Sequence, residues 1–281
     1  MRITAQPAIV LHARRWRETS LLVELFTRDH GRVGVVVRGT HGPKRQPLRA
    51  ALQPLQAIRV DYLQRGELAT LLQAEAVDGL PRLAGDALLA GLYLAELTLR
   101  MLPRDDAAAA LFLRFGDALG ELGGFLDAPA MLAWRLRCYE RDLLDALGYA
   151  LPLDRDVDGI LIDPAARYSI DPEHGPRRDR THGSGGISGA ALLALAQDTQ
   201  PAEQLLREQR VALRTVIAFH LGARGLRSWG LMGEFARLLP AARRAAGLDE
   251  TAVETDCGIA AIATQPMSLA VDESAQDASA C

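Results

Sequence analysis

Cysteine and aromatic residues are scarce in this chain, and lysine is nearly absent. The three cysteines, Cys138, Cys257 and Cys281, form no C-x-x-C pair. An odd, scattered set excludes a disulfide framework and suits a reducing compartment. No apolar stretch reaches the ~18 residues that a membrane span needs. Near the N-terminus the apolar run 7–11 is too short for a secretory h-region, and charged residues follow it at once. A cytoplasmic protein is expected. Lys44 is the single lysine among 32 basic residues. The arginine excess reads first as coding bias, although the guanidinium fork also holds phosphate well.

Catalytic signatures are missing too. The chain has no H-E-x-x-H, no G-x-S-x-G and no dinucleotide fingerprint after a strand. The string GTHGPKR (39–45) loosely resembles a phosphate loop, but its spacing is wrong. Pro43 removes an N–H donor, and no Ser or Thr follows Lys44. Six histidines are scattered without metal or triad spacing. Asp154, Asp156, Asp158 and Gly159 spell the opening of a calcium loop, yet Ala165 stands where a bidentate Glu is required. Pro164 also sits where the exiting helix should begin, so a solvated acidic turn is expected. No set of groups points to general acid–base or nucleophilic work, and the chain is read as a non-enzyme without cofactor or metal.

What is present begins with a core and a charge asymmetry. Apolar residues make up 49% of the 281, enough for a globular fold. The net charge of −3 hides its distribution. Residues 1–80 carry 12 bases and 7 acids, whereas residues 249–281 carry 7 acids and no base. A basic head favours an anionic partner. Its centre, TRDHGRVGVVVRGTHGPKRQPLRAAL (27–52), sets a β-branched run between glycine turns and then opens into a cationic loop. Adaptable positive charge of this kind suits a polyanionic backbone, and equally an ordinary solvated loop. Trp16, between Arg15 and Arg17, is open to two readings: a base-stacking platform, or a residue closing a barrel mouth.

Organisation follows from periodicity. Five short runs, 8–11, 20–26, 33–37, 57–62 and 69–76, read as strands. Their number and uneven connections suit a small OB-type barrel over residues 1–80. From Pro81 the spacing turns helical. Leu88, Leu92, Ala95, Leu99 and Leu102 share a face, as do Phe112, Phe115, Leu119 and Leu122, and Leu132, Leu136, Tyr139, Leu143 and Leu147. Gly148 is expected to cap the last of these. The fold class is therefore α+β, with a helical domain in two parts, 81–150 and 187–247. An irregular insertion, 151–186, separates them. Ser188 is expected to cap a helix through Ala196, with further helices over 202–221 and 228–239. Residues 248–281 read as an acidic, disordered tail.

Several blocks in consistent order resemble the bacterial recombination mediator family RecO: PAIVLHARRWRETSLLVELFTRDHGRV (7–33), ALQPLQ (51–56), AEAV (74–77), GLYLAELTLRML (91–102), YERDLLDALGY (139–149) and HLGARGLRSWGLMGEF (220–235). The resemblance covers about residues 5–240. It implies an OB barrel followed by helices, and a non-enzymatic role in repair and recombination. That role is binding single- and double-stranded DNA, annealing complementary strands and, with RecR, helping to load RecA onto strands coated by SSB, with RecF involved indirectly. Arg14, Arg17, Arg32, Arg38, Lys44, Arg45 and Arg49 are the candidate phosphate contacts. The acidic, apolar SSB tail is expected on the helix bearing Arg137, with Arg135 and Arg141 nearby. Many relatives hold zinc with four cysteines in the central insertion; residues 151–180 have none, so zinc is expected to be absent. In the closing motif Trp229 stands where an arginine is expected. A helical adaptor whose barrel binds no DNA and a divergent RNA-binding barrel are the other readings.

Overall fold

The computed structural model describes residues 1–230 apart from 41, 43, 44, 126, 127 and 181–185. Lys44, most of the helix expected over 228–239 and the tail from 248 lie outside the described residues.

Five strands, β1 (Arg2–Trp16), β2 (Ser20–Thr27), β3 (Gly31–Val37), β4 (Ala57–Leu63) and β5 (Leu68–Ala76), form a closed barrel in the order β1-β2-β3-β5-β4. β3 and β5 run parallel, every other neighbouring pair is antiparallel, and a short helix α1 (Gln46–Ala51) links β3 to β4. This is the OB arrangement expected. β1 is far longer than the run 8–11. Its first half pairs with β4 and its second half with β2, with register shifts at Ile3/Gln6 and Val10/His12. The strand thus bends across two faces of the barrel. Its polar outer positions had masked this continuity.

Val10, Val23, Leu25, Val35, Ile58, Val60 and Tyr62 fill the barrel. β2 is buried on both faces, because Phe26 points outward into the helical core. That core is built by α2 (Gly85–Met101), α3 (Ala109–Leu122), α4 (Pro129–Ala146), α5 (Gly189–Ala196) and α6 (Glu203–Leu221). Phe26 meets Phe112 edge-on at 5.4 Å and Phe115 at 5.9 Å, so barrel and helices share one apolar interior. Polar contacts close the same junction. Arg104 pairs with Glu24, and the Asp105 N–H donates to the Arg32 carbonyl at 3.1 Å. Gly31, at φ +62°, sits so close to the Asp106 carbonyl that a Cβ would clash with it. Both its conformation and its space demand glycine.

The insertion is not irregular. Strands β6 (Arg167–Asp171), β7 (Gly175–Arg178) and β8 (Ile187–Ser188) form a sheet in the order β7-β6-β8. Ile162, Tyr168, Ile187, Ala191 and Leu192 give it a small core of its own. Strands of two to five residues are too short to show a period, hence the misreading. The calcium-like string also acquires a role. The buried Asp156 carboxylate accepts the N–H groups of Asp158 at 3.0 Å and Ile160 at 2.9 Å, and so closes the turn. Ser188 caps α5 as expected, its hydroxyl accepting the Ala191 N–H at 3.3 Å. Among the described residues no group of three or more His, Cys, Asp or Glu is placed to hold a metal ion, and no helix is long and apolar enough to cross a membrane.

Candidate nucleic-acid interface

One end of the barrel gathers arginines from three segments. At the β1–β2 turn Trp16 pairs with Ser20, Arg15 with Leu21 and Arg14 with Leu22. Leu21 also pairs with Val37, so Arg38 leaves β3 beside that turn. The following loop is laced to it: the Thr40 N–H donates to the Thr19 carbonyl at 3.0 Å, and its hydroxyl donates there at 3.2 Å. Arg49 then donates to the Thr40 carbonyl at 2.8 Å and to that of Gly42 at 3.4 Å. Arg14, Arg15, Arg17, Arg38 and Arg45 are exposed. None of them pairs with an acid among the described residues. Glu18 is the acid at the turn itself.

Two further details mark this end. Arg17 has φ +56°, a left-handed conformation that a residue with a Cβ adopts at a cost of roughly 1 kcal/mol or more. Trp16 is half-buried, and the Arg14 guanidinium lies 5.2 Å from its ring centroid. Ala13, Leu21 and Leu48 pack against the barrel interior, whereas Trp16 does not.

Two of the expected phosphate contacts, Arg32 and Arg49, take part in other contacts. Arg32 is half-buried at the junction, where its guanidinium donates to the Leu99 carbonyl at the end of α2. Burial pushes its pKa down despite the neighbouring Glu24. It joins barrel to helices and belongs to no open face. Arg49 is committed to the loop backbone, so it shapes the loop that carries Arg45. Lys44 lies outside the described residues. Arg15 joins the exposed set; the run Arg14-Arg15-Trp16-Arg17 carries its signal, and strand alternation sends it to the opposite face from Arg14.

The arginines of α4, expected to grip the SSB tail, are engaged within the protein. Arg137 is 6% exposed and ion-paired with the buried Glu140. The apolar periodicity of α4 placed it on the flank, but α2 and α6 also pack against this helix and cover it. Arg135 pairs with Glu121. Arg141 donates to Asp142 at 2.7 Å, Asp198 at 2.8 Å and the Leu195 carbonyl at 2.6 Å. It borders a cavity of about 570 Å³ whose other charged residues are Asp142, Asp145, Asp154 and Asp198. Such a rim repels an acidic peptide. A second hollow, of about 380 Å³, lies where the barrel meets the helices. Ile9, Ile58, Val77, Leu80 and Phe112 line it, and Arg59 is the charged residue on it.

A barrel of OB topology, fused to a helical domain and carrying exposed arginines at one mouth, defines the class. Comparison with known proteins then narrows it. Residues 1–80 match the family model described as "Recombination protein O N terminal", and residues 82–230 match "Recombination protein O C terminal". The chain is 50% identical over 245 residues to "DNA repair protein RecO" of Xanthomonas oryzae pv. oryzae (strain PXO99A), covering 84% of this chain and 99% of that one. The same figures hold for the protein of that name in Xanthomonas campestris pv. campestris (strain B100). Identity is 51% over 240 residues, with the same coverage, for that of Stenotrophomonas maltophilia (strain R551-3). The chain belongs to the RecO family.

Proposed function

We propose that this RecO-family chain acts in DNA repair as a non-enzymatic mediator in the cytoplasm. It binds single- and double-stranded DNA at the arginine-bearing end of the barrel and anneals complementary strands. With RecR it helps to load RecA onto SSB-coated single strands, while RecF acts only indirectly. The observation that carries this reading is the gathering of Arg14, Arg15, Arg17, Arg38 and Arg45, exposed and without acidic partners among the described residues, around one turn and one loop. Cations at adaptable spacing neutralise phosphates irrespective of sequence and release condensed counterions.

The test is a salt titration. Neutralising about five phosphates of a single strand gives a slope of log K against log salt near −3 to −4. Replacing Arg38 and Arg45 with alanine shrinks it by about one to two units. An unchanged slope removes this loop from the DNA surface. Annealing of SSB-coated strands without ATP separates the mediator from a helical adaptor, which would not anneal.

For the SSB tail, the chemistry required is an apolar slot beside a cation that grips a terminal carboxylate. The hollow at the barrel–helix junction, with Arg59 on it, meets that requirement better than α4 does. The tail contact is accordingly proposed there.

A further inference from the structure

Among the described residues, the tryptophans fall into two environments. Trp134 is buried, and Trp229 packs against the helical core beneath the Arg214 guanidinium, 4.5 Å from its ring centroid. Trp16 belongs to neither core. It ends β1 half-buried, two residues from Arg14 on the same face, with Arg15 and Arg17 as chain neighbours and Arg38 arriving beside the same turn. Leaving a large indole partly in water forgoes the burial that its size would otherwise contribute. Arg17 holds a strained conformation one residue away, and the loop after β3 is tied by hydrogen bonds to the carbonyl of Thr19. The turn thus presents an aromatic surface with Arg14 over it and further phosphate-competent cations close by along the chain.

We propose that Trp16 is a stacking site for one unpaired nucleobase, which makes this end of the barrel a reader of single-stranded DNA. The proposal rests on the DNA-binding reading above. Every base offers a π-face, so the site is indifferent to sequence. In a duplex those faces are stacked on their neighbours, so the indole gains nothing from double-stranded DNA. Arg14, over the ring, polarises the stack and also lies within the phosphate-binding set. One stacked base is held firmly enough to favour the open strand. It is given up when a complementary strand offers pairing and stacking together, which is the exchange that annealing requires.

The test uses the full chain and three ligands of equal length: oligo-dT, an abasic oligodeoxyribose phosphate with the same number of charges, and a duplex. The wild type should bind oligo-dT about ten-fold more tightly than the abasic strand, the scale of a single base–aromatic stack. Trp16→Ala should remove most of that ratio while leaving abasic affinity, duplex affinity and the salt slope unchanged. Trp16→Phe should keep most of it, which guards against a fold defect in the alanine variant. An oligo-dT to abasic ratio equal in wild type and Trp16→Ala overturns the stacking site even if DNA binding stands. A uniform loss across all three ligands also overturns it, since Trp16 would then merely support the arginines. No binding by the wild type to any ligand defeats the DNA-binding reading itself.

Discussion

The Tyr93 hydroxyl donates to Glu140 Oε1 at 2.6 Å, joining α2 to α4 through a carboxylate that also receives the Arg137 guanidinium. All three groups are buried. Burial, and then the charge of Glu140, push the Tyr93 hydroxyl well above its ordinary pKa, so it remains a neutral donor. Each member here replaces water for the others. Removing one ion alone leaves an uncompensated charge, whereas removing the ion pair together does not. Arg137→Ala should therefore cost about 3 kcal/mol in urea unfolding, and the double variant Arg137→Met/Glu140→Leu should recover most of it. A loss below about 1 kcal/mol in the single variant would contradict the buried network.

Much of this architecture was legible because burial imposes a period. The helical faces through Phe115 and Leu143 and the five barrel strands follow from spacing, whereas α2 exposes the expected Leu88 and Leu92 and buries Ala87, Ala90, Leu94 and Leu97 instead. What spacing does not encode is which outward residue meets another domain. Arg32 and Arg38 look equivalent, flanking the same valine run. Only the docking of Leu99 and Asp105 onto the start of β3 separates an internal tie from an exposed cation. Arg137 fails for the same reason, because partners from α2 turn a helix flank into an interior. The inserted sheet escaped notice because its strands are shorter than any usable period.

Arg17 provides a test in which stability and binding move apart. Its φ of +56° strains any residue with a Cβ, and glycine relieves that strain. Arg17→Gly should be more stable than Arg17→Ala by about 1 kcal/mol, while both lose the same DNA affinity and the same salt slope of about 0.7 for single strands. Thermal melts of the two variants beside a salt titration are sufficient. If glycine offers no gain over alanine, the turn does not hold this conformation in solution.

The proposed position of the SSB tail gives opposite expectations for two arginines. Arg59→Ala should weaken a peptide bearing the tail by about ten-fold, the scale of a hydrogen bond to a charged group. It should leave single-strand affinity intact. Arg141→Ala should leave peptide affinity unchanged, because Arg141 is held by Asp142 and Asp198 in an acidic surround. Leu80→Asp tests the apolar side of the same hollow. Equal peptide binding by Arg59→Ala and wild type would move the contact elsewhere.

The inserted sheet is fastened to α6 by Glu208, and this makes its stability depend on pH. Glu208 Oε2 accepts the Ser188 N–H at 2.8 Å, and Oε1 accepts from Arg167 at 2.7 Å. Burial alone would raise this carboxyl group's pKa. The hydrogen bonds from Ser188 and Arg167 outweigh it, and the net shift is downward from 4.5. A carboxylate whose pKa is lower in the folded than in the unfolded state stabilises the fold above the unfolded value, and that contribution fades as pH falls through the folded value. Wild type should therefore exceed Glu208→Gln in melting temperature at pH 7 by a few degrees. The gap should close progressively below about pH 4.5. Hydrogen exchange at the Ser188 amide should quicken in the variant at neutral pH, reporting the loss where the strand is held. Chelator should change neither melt, since the tie depends on a carboxylate and a guanidinium. A gap that persists undiminished at pH 3 would show that Glu208 acts through packing, and a chelator-sensitive melt would show that a metal shares the load.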